Sequence, residues 1–247
     1  MSVLNIAAYR FVSLQALPSL QQHLLETAQA QALKGTILLA EEGINLFLAG
    51  SHDGVAVFIA GMDADPRLAQ MTLKRSESAT QPFRKLLVKI KREIIRMDQP
   101  QVRPAETPAP SVTPEKLRAW LDQGHDDGGR ELILLDTRNS FEFEHGTFDG
   151  AIHPDIAKFS EFPDRLPPAE QFAGKTVVTF CTGGIRCEKA APWMLQAGYE
   201  NVLQLEGGIL QYFEDCGAAH YHGDCFVFDE RRALDGGLRP TDTEDTA

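Results

Sequence analysis

Hydrophobic and polar positions in the first hundred residues change their period several times, which predicts short strands alternating with helices. Leu20, Leu24 and Leu25 recur at helical spacing, whereas Glu41-Glu42-Gly43 joins two apolar runs in the manner of a hairpin. The predicted segments are strands at 3–11, 35–40 and 44–48, helices at 18–33 and after Ser51, and further apolar runs near 71–73 and 86–90.

After residue 112 the pattern becomes a regular alternation of strands and helices. Thr113 is a candidate N-cap and Pro114 suits the first helical position, so a helix is predicted to begin there and to end near Gly124. Consecutive apolar residues, typical of strands buried on both faces, favour a parallel α/β sheet, where sites lie at the carboxyl ends of strands. The predicted strands are 131–136, 176–180 and 202–205, and the predicted helix is 187–197.

Four prolines in residues 99–112 mark an extended linker between two domains. Before it, the order strand, helix, strand, strand, helix, strand predicts a ferredoxin-like, split βαβ domain. The predicted organisation is a ferredoxin-like domain at 1–98, the linker at 99–112, a parallel α/β domain at 113–218 and a C-terminal extension at 219–247 that is disordered from Leu234 onward.

Composition and charge narrow the class of protein. The chain has 247 residues, 24 Lys and Arg against 35 Asp and Glu, and a formal net charge of −11, which taken whole argues against a polyanion-binding protein. A hydrophobic fraction of 43% excludes wholesale disorder. No long apolar run or signal-peptide pattern is present, so we expect a cytoplasmic protein without membrane contact.

The most informative segment is CTGGIRCEKAA, residues 181–191, placed after an apolar strand and before a helix. Gly183 and Gly184 allow successive amides to point inward as an anion nest, and Arg186 adds a full charge near the helix N-terminus. These effects predict a lowered pKa for the Cys181 thiol, with Thr182–Arg186 as its anion-binding loop. The alternative is a thiol buried as a small hydrophobe.

Cys187, in the first turn of the predicted helix, has two interpretations. It is a packing residue or a thiol that resolves an oxidised Cys181 as a disulfide, and packing is favoured. Cys216, His220, His222 and Cys225 are spaced unlike the common zinc sites, so we predict no metal.

The cysteine loop resembles the active loop of the rhodanese family, C-x-x-G-x-R, through Cys181, Gly184 and Arg186. LLDTRNSFEFEHGTFDGAIHP (134–154) and LEGGI (205–209) resemble two further rhodanese signatures. The resemblance implies a rhodanese-like fold over about 112–215 and a persulfide on Cys181, held by the amides of Thr182, Gly183, Gly184, Ile185 and Arg186. Asp136 and Arg138 are expected to support the loop, or to form a strand-end salt bridge. The four residues between cysteine and arginine disfavour the related phosphatases, whose loop is one residue longer.

A narrower resemblance extends over nearly the whole chain. YRFVSL, KGTILLAEEGINLFLAG, CTGGIRCEKA and CFVFDER are similar to segments of the bacterial rhodanese-like tRNA uridine hydroxylases. The family implies oxygen-dependent conversion of the tRNA wobble uridine to 5-hydroxyuridine, with Cys181 required, molecular oxygen and a reductant consumed, and no known metal or flavin cofactor. The alternatives are a sulfurtransferase that carries a persulfide on Cys181, and an RNA-binding adaptor with a vestigial loop.

A tRNA substrate changes the interpretation of the charge. Residues 74–96 hold eight basic and two acidic side chains, a local charge of +6 that leaves −17 for the rest of the chain. We expect phosphates to bind there along one side of a strand, with Leu87 and Ile90 packed inward. An ordinary solvated face is the alternative. The predicted RNA-binding residues are Lys74, Arg75, Arg84, Lys85, Lys89, Lys91 and Arg92.

A base modified in the anticodon loop must leave its stack, so aromatic side chains near Cys181 are candidate stacking surfaces. Four aromatic side chains are available, although core packing is their commoner role: Phe141, Phe143, Tyr212 and Phe213. Glu142, Glu144 and His145 are predicted to form a solvated helical face.

Overall fold

The computed structural model describes residues 2–241, which divide into two compact units between Arg96 and Met97. The first unit contains β1 (Val3–Phe11), α1 (Leu17–Ala30), β2 (Lys34–Ala40), β3 (Gly43–Gly50), α2 (His52–Asp63), β4 (Lys74–Ser78) and β5 (Leu86–Ile90). As predicted, Ser51 caps α2, because its side chain accepts a hydrogen bond from the Gly54 amide at 3.1 Å.

The first unit is a five-stranded sheet in the order β4-β1-β3-β2-β5. β3 lies antiparallel between β1 and β2, which makes the βαβ unit split and confirms the ferredoxin-like prediction. β5 adds a parallel strand beside β2 at one edge, and β4 forms the other edge beside β1.

The core of this unit lies on one face of the sheet. Ile6, Ile37 and Leu46 from three strands share a cluster with Leu24 of α1 and Phe58 of α2. Both helices therefore cover the same face, and no helix among the described residues of this unit packs on the opposite face. We call the latter the helix-free face.

The predicted orientation of β5 is wrong. Leu86 and Val88 pack against the core, whereas Ile90 is 38% exposed. The register places Leu87 on the helix-free face. Ile90 lies on the core side, opposite buried Leu39, but it is the last residue of an edge strand and its side chain stays exposed.

The second unit alternates strands and helices around a parallel sheet. Its elements are β6 (Ser111–Val112), α3 (Pro114–Gln123), β7 (Leu132–Asp136), α4 (Ser140–His145), β8 (Gly146–Phe148), α5 (Phe162–Arg165), β9 (Thr176–Phe180), α6 (Cys187–Gln196), β10 (Val202–Leu205), α7 (Gly208–Cys216), β11 (Tyr221–Gly223), β12 (Cys225–Phe226) and β13 (Ala233–Leu234). The four-stranded sheet has the order β6-β10-β9-β7, and its pairs are parallel, as predicted.

The register of β7 and β9 aligns their carboxyl ends. Asp136 lies opposite Phe180, and the Thr137 amide donates to the Phe180 carbonyl at 3.0 Å. Cys181 and Thr137 thus leave the sheet side by side.

The C-terminal extension folds back as short antiparallel pairs, β11 with β8 and β12 with β13. The expectation of a disordered tail from Leu234 onward is wrong at Leu234, which is 2% exposed and pairs with Cys225. Residues 242–247 of the predicted disordered end lie outside the described residues. The proline-rich segment also buries Val102 and Ala109. In the part of the chain that the structure describes, no helix is long and apolar enough to cross a membrane.

Candidate active site

Cys181 follows β9 directly, at the carboxyl edge of the parallel sheet, and its loop leads into α6. The residue is fully buried, and the Gly184 amide donates to its sulfur at a N–Sγ distance of 3.1 Å. Gly184 has a φ of 96°, a conformation that favours glycine and turns this amide inward. The loop therefore binds the sulfur through the backbone, as its glycines predict.

Gly208, at the start of α7, allows the cysteine loop to pack closely. A Cβ atom at this position would lie 2.3 Å from the Cys181 carbonyl oxygen and 2.7 Å from the Gly184 nitrogen, and its φ is 65°. The Ile209 amide then donates to the Cys181 carbonyl at 2.9 Å. This close approach gives the LEGGI signature a physical role.

The pKa of the Cys181 thiol is lowered despite its burial. Desolvation alone would raise this pKa, but a hydrogen bond from the Cys187 thiol, the positive charge of Arg186 and the amides of Arg186 and Gly184 outweigh it. Burial and the adjacent Cys181 sulfur raise the pKa of Cys187. The pair thus consists of a sulfur that favours the anion and a neutral thiol that donates to it.

Glu142, predicted to lie on a solvated face, is completely buried against the cysteine loop. Its carboxylate accepts hydrogen bonds from Arg186 Nη1 at 2.7 Å and Nη2 at 2.8 Å. The terminal nitrogens of Arg186 are therefore engaged by a carboxylate, while its buried Nε has no hydrogen-bond partner. Arg186 contributes charge to the site and Glu142 fixes its guanidinium. The sequence signal for this residue is the capping-box spacing, in which an N-cap residue, Asn139, is followed three positions later by Glu142. In the structure the Asn139 amide donates to the Glu142 carboxylate at 3.1 Å.

Asp136 and Arg138 form a buried ion pair whose hydrogen bonds reach the turn before β8. Arg138 Nη2 binds Asp136 at 2.6 Å and the Gly146 carbonyl at 2.6 Å, and Thr147 donates to Asp136 at 2.9 Å. The Tyr221 hydroxyl also donates to the Gly146 carbonyl, at 2.8 Å. These residues fix the turn and β11 through the strand-end salt bridge, and support of the cysteine loop by Asp136 and Arg138 stays a prediction.

The segment after β11 contacts the cysteine loop. Thr182 Oγ1 donates to the Phe226 carbonyl across a long 3.4 Å, and Cys225 is fully buried beneath. Phe226 and Phe228 join Phe141 in an aromatic cluster on the outer side.

The four aromatic residues considered as stacking surfaces have different environments. Tyr212 and Phe213 are buried in the core of the second unit, and Phe143 stacks on His153 with ring centroids 4.7 Å apart. Phe141 alone among these four is exposed, at 40%.

The predicted basic RNA-binding residues do not form one stripe. Lys74 and Arg75 lie on β4 at one edge of the first sheet, whereas Lys89 lies on β5 at the other edge. Three strands separate the two groups. The residues are contiguous in sequence because the chain crosses from one edge to the other between β4 and β5. Arg84, Lys85, Lys91 and Arg92 are exposed beside β5.

The residues weighed as zinc ligands have other partners. His220 binds Asp122 at 2.7 Å, and His222 binds Asp149 at 3.0 Å. Within residues 2–241, no group of three or more His, Cys, Asp or Glu side chains is arranged to hold a metal ion.

Comparison with known proteins accounts for both units. Residues 3–94 match the UPF0176 acylphosphatase like domain, and residues 113–215 match the rhodanese-like domain. A curated protein of Variovorax paradoxus, named tRNA uridine(34) hydroxylase, is 64% identical over 94% of this chain and 89% of its own length. The protein of that name from Bordetella pertussis is 58% identical over 97% of this chain and 98% of its own.

Among solved structures, a rhodanese-related protein from Thermoplasma volcanium is 24% identical and covers 43% of this chain and 93% of its own, with a TM-score of 0.34. The family is shown by the curated relatives, which are 64% and 58% identical over more than nine-tenths of this chain. The chain belongs to the family of rhodanese-containing proteins whose curated members are named tRNA uridine(34) hydroxylase.

Proposed function

We propose that this protein hydroxylates the wobble uridine of tRNA to 5-hydroxyuridine, with Cys181 as the catalytic residue. The observation that carries the proposal is the buried sulfur of Cys181, whose pKa is lowered by donors converging from Gly184, Arg186 and Cys187, in a chain of this family. A stabilised thiolate is the nucleophile that an unactivated pyrimidine ring requires. As an enzyme of tRNA, the protein is assigned to the cytoplasm.

The chemistry begins with addition of the Cys181 thiolate to C6 of the uracil ring. A C–S bond forms, the C5–C6 double bond breaks, and the electron pair passes to C5 and the O4 carbonyl as an enolate. C5 then bonds to one atom of molecular oxygen. Two electrons from a reductant and three protons cleave the O–O bond, releasing water and leaving a hydroxyl on C5.

The ring is restored when the C5 proton leaves and the thiolate departs from C6. Overall, uridine, O₂, two electrons and two protons give 5-hydroxyuridine and water. The neutral Cys187 thiol, beside Cys181, stabilises the departing thiolate. No metal or flavin has a part in this scheme, and the reductant is a two-electron donor.

The first unit offers a surface for the anticodon arm on its helix-free face. Cross-strand register places Lys34 and Lys89 on this face with Phe47, and all three are exposed. Lys85 and Lys91 flank β5 in the same alternation. We call Lys34, Lys85, Lys89 and Lys91 the lysine face. None of the described strand residues on this side of the sheet is acidic, so the face suits RNA phosphates despite the net charge of −11.

Nucleoside mass spectrometry of tRNA tests the function directly. A strain lacking this protein should lose 5-hydroxyuridine-derived nucleosides, the wild-type gene should restore them, and Cys181→Ala should not. Cys216→Ala is the matched control, because Cys216 lies at the far end of α7 outside the cysteine loop, and it should restore them fully. Unchanged nucleosides in the deletion strain would overturn the proposal.

A second experiment uses purified protein and ¹⁸O₂. One labelled oxygen is expected at C5 of the product, since the hydroxyl derives from O₂. Sulfur transfer from thiosulfate without any hydroxylation would instead identify a sulfurtransferase.

A further inference from the structure

Two exposed aromatic side chains of the second unit lie together beside the cysteine loop. Phe228 is 53% exposed and Phe141 is 40% exposed, and they account for two of the three large exposed hydrophobic residues described in this unit, with Leu195. Single exposed hydrophobic residues are common, but a pair next to a reactive loop indicates a binding surface.

The two rings are held in a fixed arrangement by a third. Phe226 packs edge-on against Phe141, with centroids 5.0 Å apart, and against Phe228 at 5.2 Å. Phe141 and Phe228 are 6.3 Å apart at an interplanar angle of 89°. Asp229 and Arg231 form a charge-assisted pair that closes the next turn. The two exposed rings are therefore held in place by packed side chains.

This cluster borders the buried groups of the site. The ring of Phe228 lies 6.0 Å from the guanidinium carbon of Arg186, and Phe141 precedes Glu142, which binds the same guanidinium. Phe226 accepts the hydrogen bond from Thr182 of the loop. Every member is thus connected to the loop that holds Cys181.

We propose that Phe228 stacks against the face of the uracil of the target nucleotide, while Phe141, whose ring is perpendicular to that of Phe228, contacts the edge of the same base; we call this pair the aromatic platform. The inference rests on the proposed function. A base drawn from the anticodon loop loses stacking with its neighbours, and an aromatic side chain restores it. Because the ring faces are apolar and uncharged, they suit a neutral pyrimidine and leave phosphate contacts to the lysine face.

The proximity to Cys181 favours a base over a protein partner. The reaction takes place on the ring of one nucleotide, so that ring must lie next to the cysteine loop, where the platform is. The hydrogen bond that joins Phe226 to Thr182 of the cysteine loop is long, at 3.4 Å, and in our proposal this segment moves when a base reaches the fully buried sulfur.

A binding cycle tests the platform without relying on catalysis. The probes are two anticodon stem–loop RNAs, one with uracil at position 34 and one abasic there, and the proteins are wild type and Phe228→Ala. Wild type should bind the uracil probe roughly 5- to 100-fold more tightly than the abasic probe. Phe228→Ala should lose most of that preference while binding the abasic probe as wild type does.

Two further variants separate stacking from packing. Phe228→Leu keeps apolar volume but no ring and should resemble Phe228→Ala, whereas Phe228→Trp should keep the preference. Leu195→Ala, at a position outside the cluster that is about as exposed as Phe141, should behave as wild type. Phe141→Ala should lower the preference as well.

The outcomes distinguish this inference from the proposed function. Equal weakening of both probes by Phe228→Ala, or no preference in wild type, overturns the platform even if hydroxylation occurs. A platform that serves another protein gives the same result, with no preference for uracil. If Phe228→Ala removes the preference for the uracil probe but purified wild type never hydroxylates tRNA, the platform stands and the proposed reaction fails.

Discussion

The carboxylate of Glu142 binds the guanidinium of Arg186 through both oxygens, across 44 positions of sequence, and both side chains are almost fully buried. Arg186 lowers the pKa of Cys181, and Glu142 keeps the buried Arg186 guanidinium charged by raising its pKa. The pair therefore sets both the stability of the loop and the acidity of its thiol.

Glu142→Gln should destabilise the second unit by about 3 kcal/mol, because it leaves the Arg186 charge buried without a counter-ion. The measurement is urea unfolding followed by tryptophan fluorescence, which reports on this unit because Trp120 and Trp193 are the two tryptophans of the chain. Glu144→Gln, exposed on the same helix, should change stability by less than about 0.5 kcal/mol. Equal effects of the two changes would contradict the structural role of the pair.

Ionisation of Cys181 should be half complete near pH 6, since the pKa of its thiol is lowered to about 6. The thiolate fraction, and with it the rate of hydroxylation at saturating tRNA, should rise with pH through this range and then level off. The ultraviolet absorbance of the thiolate measures ionisation of a buried sulfur directly, as the difference between wild type and Cys181→Ser. A midpoint at or above the ordinary value of about 8.5 would refute the lowered pKa.

Cys187 gives a matched test of the donor to that thiolate. Cys187→Ala removes the hydrogen bond and should raise the pKa of Cys181, whereas Cys187→Ser replaces one donor with another and should keep it low. If both variants titrate as wild type does, Cys187 is a packing residue only.

Gly208→Ala should abolish the cysteine loop's geometry, because the added Cβ would lie 2.3 Å from the Cys181 carbonyl oxygen. We expect loss of hydroxylation and a Cys181 pKa nearer the ordinary value, together with a destabilisation of about 1–3 kcal/mol. Gly124→Ala is the control, since Gly124 also has a positive φ, 81°, but no atom within 4 Å of the added carbon. That variant should be somewhat less stable yet fully active.

The lysine face predicts a change in the salt dependence of tRNA binding. Lys85→Gln with Lys89→Gln should lower the slope of log Kd against log salt concentration by about 1.5, as two phosphate contacts are lost. Arg75→Gln should leave the slope unchanged, because Arg75 pairs with core residue Ile6 and so points to the helix-bearing side of the sheet. A larger change of slope for Arg75→Gln than for the two lysine changes would place the RNA on the helix-bearing side of the sheet.

The cysteine loop could be predicted from sequence because its determinants are local. The loop lies between one strand and one helix, and a few residues, Cys181, Gly184 and Arg186, determine its backbone geometry and charge. The split βαβ order was equally local, since each segment carries its own period.

Features that depend on distant pairing could not be read in this way. Glu142 resembled a solvated residue because its partner, Arg186, lies far along the chain. Leu87 was placed in the core because strand alternation alone does not say which parity faces the helices, and the register that sets Val88 opposite Ile37 decides it. The basic run from Lys74 to Arg92 was contiguous in sequence but divided by sheet order.

Phe228 was missed for a different reason. Phe226 and Phe228 are two residues apart and share one side of a short extended segment, while Cys225 and Val227 are buried on the other. That alternation was visible in CFVF, but a segment so short has no predicted partner until β13 is seen to return beside it.

Full enclosure of Cys181 has a consequence for the lifetime of the enzyme. A thiolate open to solvent in an aerobic cell is oxidised to sulfenic acid and beyond. If the segment that carries Phe228 is displaced only when a nucleotide binds, the sulfur is exposed to oxidants chiefly during turnover, and enzyme without substrate is protected from oxidation. Burial then preserves the thiolate between turnovers, and binding of the substrate itself makes the sulfur accessible.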